Sequence, residues 1–509
     1  MLTTLILLPI LGALIVGFIP TKQTRLLALG ISSIILIFTI WVATQFNLST
    51  SSLQFQEYFP WIPQLGLNYK LGIDGLSFPL LALSSLLTWI AIYSSSNNLE
   101  RPRLYYALIF VVNASLAGAF MAQNLLFFII AYELELIPMY LLINIWGGQK
   151  RGYAATKFLI YTALSGIIIL AGFFGTTWLS GASSFDVDIF SNNTIQTHNL
   201  PLNTQLILLT LLLVGFGIKI PLVPLHTWLP DAYTEASPPV AILLGGLLAK
   251  LGTYGLLRFG LGLFPETWSV VAPGLAIIGT ISVLYGALNA IAQKDIKRMV
   301  AYSSIGHMGY VLLGSASANS LSLVGTISQM FAHGLILALL FHLVGIVENK
   351  VGTRDLDVLN GLMNPIRGLP LTAALLVLAG MASAGIPGLV GFIAEFIVFQ
   401  GSYIVFPFLT LLCVVGTGLT AVYFVILLNR TCFGKLDNKT SYYPKVTLSE
   451  KIPAFVLAGL IFILGVQPNW LVKWSENTVA GWTAFIPHKT TINNQVAFNL
   501  NNYQLPSNK

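Results

Sequence analysis

The sequence predicts an all-α, polytopic membrane protein of about fourteen transmembrane helices, on three observations. Charged residues make up 8% of the 509 residues, against roughly 25% in soluble domains. Mean hydropathy is +0.81. Apolar runs of about 20 residues, the length that crosses a bilayer core, recur along nearly the whole chain. The net charge of +7 would suggest nucleic acid in a soluble protein. Here it reads as the cytoplasmic excess of Lys and Arg, so the expected surroundings are a lipid bilayer and no nucleic acid.

The expected spans follow in order. Residues 4–20 have no basic leader or cleavage site before them and read as a first span rather than a removed signal. Residues 26–45 and 71–94 complete an N-terminal group, 1–103. Residues 104–122, 124–146, 154–180, 204–228 and 238–263 form a first five-helix unit, 104–263. Residues 270–292, 298–316, 321–347, 370–399 and 402–431 form a second, 270–431. Residues 452–470 form a last span within a C-terminal helix and tail, 432–509. The basic residues check this count. Of the 25 Lys and Arg, 17 lie in connections after odd-numbered spans and five on the opposite side. That alternation makes the odd-side connections cytoplasmic and puts both termini on the other, lumenal or periplasmic, side. Lys157 opens the sixth span and can snorkel to the interface.

Two spans carry helix breakers at matching places. The seventh holds Gly217-Ile218-Lys219-Ile220-Pro221, and the twelfth holds Gly385-Ile386-Pro387-Gly388. Proline removes an N–H and disturbs the preceding turn, and the freed carbonyls need partners, so such breaks line a cavity rather than face lipid. Five spans separate the breaks. An odd offset reverses orientation, so the two five-helix units are inverted relative to each other, with broken helices near Pro221 and Pro387. That arrangement points to a transport path.

Four ionisable side chains lie deep in these spans: Glu133, Lys219, Lys250 and Glu395. Each costs roughly 2.5–3.5 kcal/mol at a bilayer centre on the insertion scale, so interior charge has a use, and moving charge across the membrane is the obvious one. Glu135 lies two positions after Glu133, about 200° around a helix with 3.6 residues per turn. On a regular helix one acid faces the interior and the other needs a separate partner; spacing does not say which. Lys219 before Pro221 either caps a half-helix C-terminus or exchanges protons under the control of a facing acid, and the two roles are compatible. His226 either relays a proton or caps a loop. His307, His333 and His342 lie between Lys250 and Glu395 in the chain and suggest a relay; a hydrogen-bonded packing role is the alternative for each. Cys413 and Cys432 have no metal or redox spacing. There is no phosphate-binding loop, dinucleotide fingerprint or cysteine ligand set, so this chain is expected to hold neither cofactor nor metal and not to be the redox catalyst.

Several motifs carry a family likeness: Gly72-Ile73-Asp74-Gly75-Leu76-Ser77, Tyr132-Glu133 through Pro138-Met139-Tyr140, Lys219-Ile220-Pro221 through Pro230-Asp231-Ala232, Lys250-Leu251-Gly252 and Tyr302-Ser303-Ser304-Ile305-Gly306-His307. Over nearly its whole length the chain resembles the antiporter-like, proton-pumping membrane subunits of complex I and NDH-1, of the NuoM/NdhD type. The resemblance implies fourteen helices with inverted five-helix repeats, a Glu133–Lys219 pair at the entry half, Lys250 as central carrier and Glu395 at the exit. Trp146-Gly147-Gly148-Gln149-Lys150-Arg151 resembles the cyanobacterial and plastid members. That implies a thylakoid complex that takes electrons from NAD(P)H or ferredoxin and reduces plastoquinone. Its FMN or ferredoxin and its iron–sulfur clusters are expected in other subunits, and the partners are neighbouring antiporter-like NDH-1 subunits. The short N-terminus, and Tyr132 before Glu133, resemble the variant found in carbon-dioxide-uptake complexes. Glu135 is an acid that bacterial members usually lack. The competing functions are a subunit of an Mrp-type Na⁺/H⁺ antiporter, which shares these motifs, and a purely structural membrane subunit.

Overall fold

In the computed structural model, residues 1–18, 20, 23–96, 98–191, 197, 200–436 and 442–484 are described. Helices dominate. Leu2–Phe18 (α1) and Thr24–Gln45 (α2) lead into an antiparallel hairpin, Gln54–Ile62 (β1) and Leu67–Ile73 (β2). The hairpin departs from the all-helical expectation and takes residues 71–73 out of the expected third span. Ser77–Ser94 (α3) follows, capped by Asp74, whose Oδ1 accepts from Leu76 N and Ser77 N at 3.1 Å each; Asp is a favoured cap because it satisfies otherwise orphaned amides.

Next come Pro102–Met121 (α4), Leu125–Leu134 (α5), Leu136–Trp146 (α6), Arg151–Leu179 (α7) and the short Val187–Ser191 (α8). The expected fifth span is thus interrupted at Glu135. Leu202–Lys219 (α9) stops before Pro221, and Trp228–Glu235 (α10) resumes after a run of turns. Proline has no N–H to continue the ladder, so the span expected at 204–228 ends at Lys219. Pro238–Leu243 (α11) and Ala249–Gly255 (α12) belong to one segment, widened by π-helical turns at Leu244–Leu248 and Leu256–Leu261. π-Turns inside α-helices occur often at functional sites; these two flank Lys250.

The second half holds Pro265–Ile291 (α13), Ile296–Ser317 (α14), Ser320–Val351 (α15), Pro370–Ser383 (α16), Val390–Val405 (α17), Pro407–Thr431 (α18), Leu448–Val466 (α19) and Asn469–Thr483 (α20). The break expected near Pro387 separates α16 from α17. Gly385 (φ +69°) and Gly388 (φ +92°) supply its left-handed turns, which a side chain resists. The segment continues to Val405, past the expected boundary, and α20 was not anticipated.

Among the described residues, eleven helices are long and apolar enough to cross a membrane, against fourteen expected spans. The other three expected spans correspond to α1, one residue short of that length, to α14, which carries four serines, His307, Lys297 and Arg298, and to the α16–α17 pair, split by its break. Pro238–Leu261 is buried throughout and α15 almost so. Outer helices such as α2, α7 and α18 turn Ile37, Ile167 and Val425 outward, each more than 60% exposed, as a lipid-facing or subunit-facing surface requires. The charged positions therefore lie on or beside the innermost helices.

Candidate functional site

Lys219 ends α9 with its ammonium fully buried, and it is ion-paired and hydrogen-bonded to Glu135 Oε1, also fully buried. The ammonium lies 4.3 Å from the Tyr132 ring centroid, a cation–π placement of about 0.5–2 kcal/mol. Tyr132 is held in turn by Ser165 Oγ at 3.0 Å, and Ser165 donates to the Gly215 carbonyl at 2.7 Å. The expected pairing of Lys219 with Glu133 is corrected here. On a regular helix the two acids are about 200° apart, and it is Glu135, at the interruption between α5 and α6, that faces Lys219. Glu133 is half-buried instead, packed against the bare backbone of Gly166 on α7, where a side-chain carbon would collide with its carboxylate. Its Oε1 is buried without a hydrogen-bond partner.

The second group is centred on Lys250. Its buried ammonium donates to the Gly245 carbonyl at 2.6 Å and lies 2.7 Å from His333 Nδ1. Gly245 belongs to the first π-turn, and the irregular helix leaves this carbonyl turned toward the lysine. The His333 and His307 rings lie 5.1 Å apart. His307 Nδ1 is 3.3 Å from Glu395 Oε1, and its Nε2 is 2.9 Å from Ser383 Oγ at the end of α16. Thr417 donates to Glu395 Oε2 at 3.3 Å and meets Tyr310 OH at 3.0 Å. Lys250, His333, His307 and Glu395 are each at most 3% exposed and form one file from α12 through α15 and α14 to α17.

Two sequence-selected histidines stay outside this file. His226 stacks edge-on against Tyr285 at 4.7 Å, with its Nδ1 buried and unpartnered. His342 Nε2 donates to the Glu450 carbonyl at 2.7 Å, which is a packing role. The Lys219 stem packs against Gly252, two residues beyond Lys250, yet no hydrogen bond or ion pair among the described residues joins the two lysines.

Sequence reasoning missed a further buried pair. Arg258 Nη2 donates to both carboxylate oxygens of Asp74 at 2.7 Å, with the guanidinium over the Trp482 and Tyr254 rings at 5.2 and 5.5 Å. Asp74 stood in a quoted motif, but nothing in the spacing linked it to a residue 184 positions away. Among the described residues no cluster of three or more His, Cys, Asp or Glu is arranged to hold a metal.

A file of buried amine, imidazole and carboxylate groups can pass a proton from group to group. A family model described as NADH:quinone oxidoreductase/Mrp antiporter, TM, matches residues 122–420, which span both charged groups. The chain belongs to this family. Among its relatives, the NAD(P)H-quinone oxidoreductase chain 4 1 of Picosynechococcus sp. is 41% identical over 447 residues, covering 85% of this chain and 82% of that protein. The NAD(P)H-quinone oxidoreductase chain 4 of Acaryochloris marina is 38% identical over 503 residues, covering 95% and 92%. A chain of the respiratory complex I of Thermus thermophilus superposes with TM-score 0.85 at 25% identity, covering 96% of this chain and all of that one. A chain of the Mrp complex of Dietzia sp. matches with TM-score 0.82 at 20% identity over 95% and 97%, which shows a shared fold. The family therefore supplies the polytopic helical fold read from the sequence.

Proposed function

We propose that this chain is the proton-translocating membrane subunit of an NDH-1-type NAD(P)H:quinone oxidoreductase. Quinone reduction in other subunits drives proton transfer through its buried Glu, Lys and His. The observation that carries this reading is the file Lys250–His333–His307–Glu395, with links of 2.7, 5.1 and 3.3 Å, set beside the separate Lys219–Glu135 pair. Four buried charged or chargeable groups cost too much to serve only as glue for helices that apolar packing would hold. The oxidoreductase relatives, at about 40% identity over most of the chain, favour this over an Mrp-type antiporter, with which the likeness rests on the shared family model and on the fold, at 20% identity.

The finer reading has the Glu133–Lys219–Glu135 group at the entry half and Glu395 at the exit. The units 104–263 and 270–431 are inverted repeats, supported by the matching breaks after Lys219 and Ser383. Neighbouring antiporter-like subunits flank the chain in a cyanobacterial thylakoid membrane. The electron carriers FMN or ferredoxin, the iron–sulfur clusters and plastoquinone are held elsewhere in the complex. Both termini are lumenal and the 430–451 connection is cytoplasmic, on the basic asymmetry. Lys439, in that connection, lies outside the described residues, so Lys445 is the better labelling position.

The test is proton pumping by the whole complex in proteoliposomes. Lys250→Ala should assemble with full iron–sulfur content and lose at least nine-tenths of pumping. Wild-type pumping by that variant would refute the proposed path.

A further inference from the structure

A second buried lysine, Lys297, lies outside the file. It sits in the first turn of α14, 2% exposed. Asp295 caps that turn, accepting from Lys297 N at 2.8 Å and Arg298 N at 3.3 Å. The Lys297 ammonium donates to the Ala236 carbonyl, between α10 and α11. Its nearest carboxylate oxygen, Glu348 Oε2, is 3.9 Å away, beyond hydrogen-bond length. Glu348 is engaged by Arg354 instead, at 3.2 Å, and Arg354 also holds Asp295 at 3.1 Å and the Thr234 carbonyl at 3.1 Å. A buried lysine normally sits in direct contact with its counter-ion, because an unpaired buried charge is expensive. Here the counter-ion stands off, a third exposed at the surface, and the ammonium has three donors with one acceptor.

The elements that hold Lys297 carry further buried polar atoms. Thr234 Oγ1 is buried without a hydrogen-bond partner, and the buried Ser237 and Ser304 hydroxyls face Tyr105 and Tyr233 without a hydrogen bond of good geometry. Tyr233 OH donates to the Leu244 carbonyl at 3.1 Å, and the next carbonyl, Gly245, accepts from Lys250. From Ala236 to Gly245 is nine residues, about 13 Å of helix at 1.5 Å per residue. Unpartnered buried hydroxyls each cost about 1–3 kcal/mol, and groups so placed are the partners that ordered water takes.

We propose that Lys297 is the proton-uptake residue that supplies Lys250, with Glu348 at its mouth and the hydroxyls of Thr234, Ser237, Ser304 and Tyr233 along a hydrated thread. This rests on the proton-translocating reading above. The proton count closes within the chain. The Lys297 ammonium gives up one proton inward, breaking its N–H bond, and a neutral Lys250 amine gains one. Neutral Lys297 then recovers a proton from bulk water by way of the Glu348 carboxyl. The basic connections place this mouth on the cytoplasmic side.

The experiment compares Lys297→Met, Lys297→Arg, Glu348→Gln and Lys250→Ala complexes for dye-reported proton pumping in proteoliposomes and for assembly. Lys297→Met should lower pumping at least tenfold, and Glu348→Gln several-fold. Lys297→Arg separates relay from scaffold, because guanidinium keeps the charge but does not release its proton: it should assemble fully and still pump at a tenth or less. Pumping at half the wild-type rate or more by Lys297→Arg makes the residue structural and overturns the inference, even if Lys297→Met fails to assemble. Wild-type pumping by Lys297→Met, with Lys250→Ala inactive, overturns the inference alone. Wild-type pumping by Lys250→Ala overturns the reading it rests on as well.

Discussion

Replacing Glu135 by Gln tests which acid neutralises Lys219. Two unit charges about 4 Å apart interact by roughly 4 kcal/mol at an effective dielectric of about 20. Removing one partner of a buried pair costs about 3–5 kcal/mol, because the other charge stays behind uncompensated. Each 1.4 kcal/mol is a factor of ten, so the paired arrangement should lose roughly two to three orders of magnitude in population. Glu133 cannot take over without moving, since its carboxylate is lodged against Gly166 on the neighbouring helix. Glu135→Gln should therefore cut proton pumping at least tenfold in complexes that still assemble. Glu133→Gln should leave the Lys219 ammonium paired, so the complex should be the more stable of the two to heating. The assay is dye-reported pumping in proteoliposomes beside thermal unfolding of the purified complex. Wild-type pumping by Glu135→Gln, with melting no earlier than that of Glu133→Gln, would refute the Lys219–Glu135 pairing as the functional one.

Four further outcomes are expected. Gly166→Ala should impair pumping although alanine favours helix by about 1 kcal/mol, because the added carbon displaces the Glu133 carboxylate; normal pumping would show that its position is not critical. His333→Ala and His307→Ala should each reduce pumping tenfold or more by interrupting the file, whereas His226→Ala should cost less than threefold, read in the same assay. Arg258→Ala should lower the melting temperature of the complex through loss of about 3–5 kcal/mol, leaving Asp74 buried and unpaired; calorimetry checks it. Outside the membrane, the Lys294 hydrogen bond at 2.6 Å and the nearby Arg430 hold the exposed Asp357 carboxyl below its ordinary range. A carboxyl depressed on folding contributes above its unfolded pKa and loses that contribution as pH falls through the folded value. Asp357→Asn should thus reduce the pH dependence of stability only in the acid range, below about pH 4.

The sequence by itself determined the class of molecule and the cost that needed explaining. Twenty-residue apolar runs have few other uses, and Lys219, Lys250 and Glu395 were legible because charge in such runs is expensive wherever the helices pack. The breaks at Pro221 and Pro387 were equally legible, since proline and glycine act on the backbone locally. The tertiary structure decided everything that depends on rotation and distance. Whether Glu133 or Glu135 meets Lys219 depends on how α5 and α6 are rotated against α9, which helical periodicity leaves open. The hairpin at 54–73 escaped because strand pairing is a contact between segments rather than a local composition. His307 and His333 became neighbours, and His226 did not, through the packing of α14 on α15. Arg258 and Asp74, like Lys297 and Ala236, are joined across long stretches of chain, and single-sequence periodicity holds no information about such partners. The local chemistry sets which residues are costly to bury; the packing sets which of them share a path.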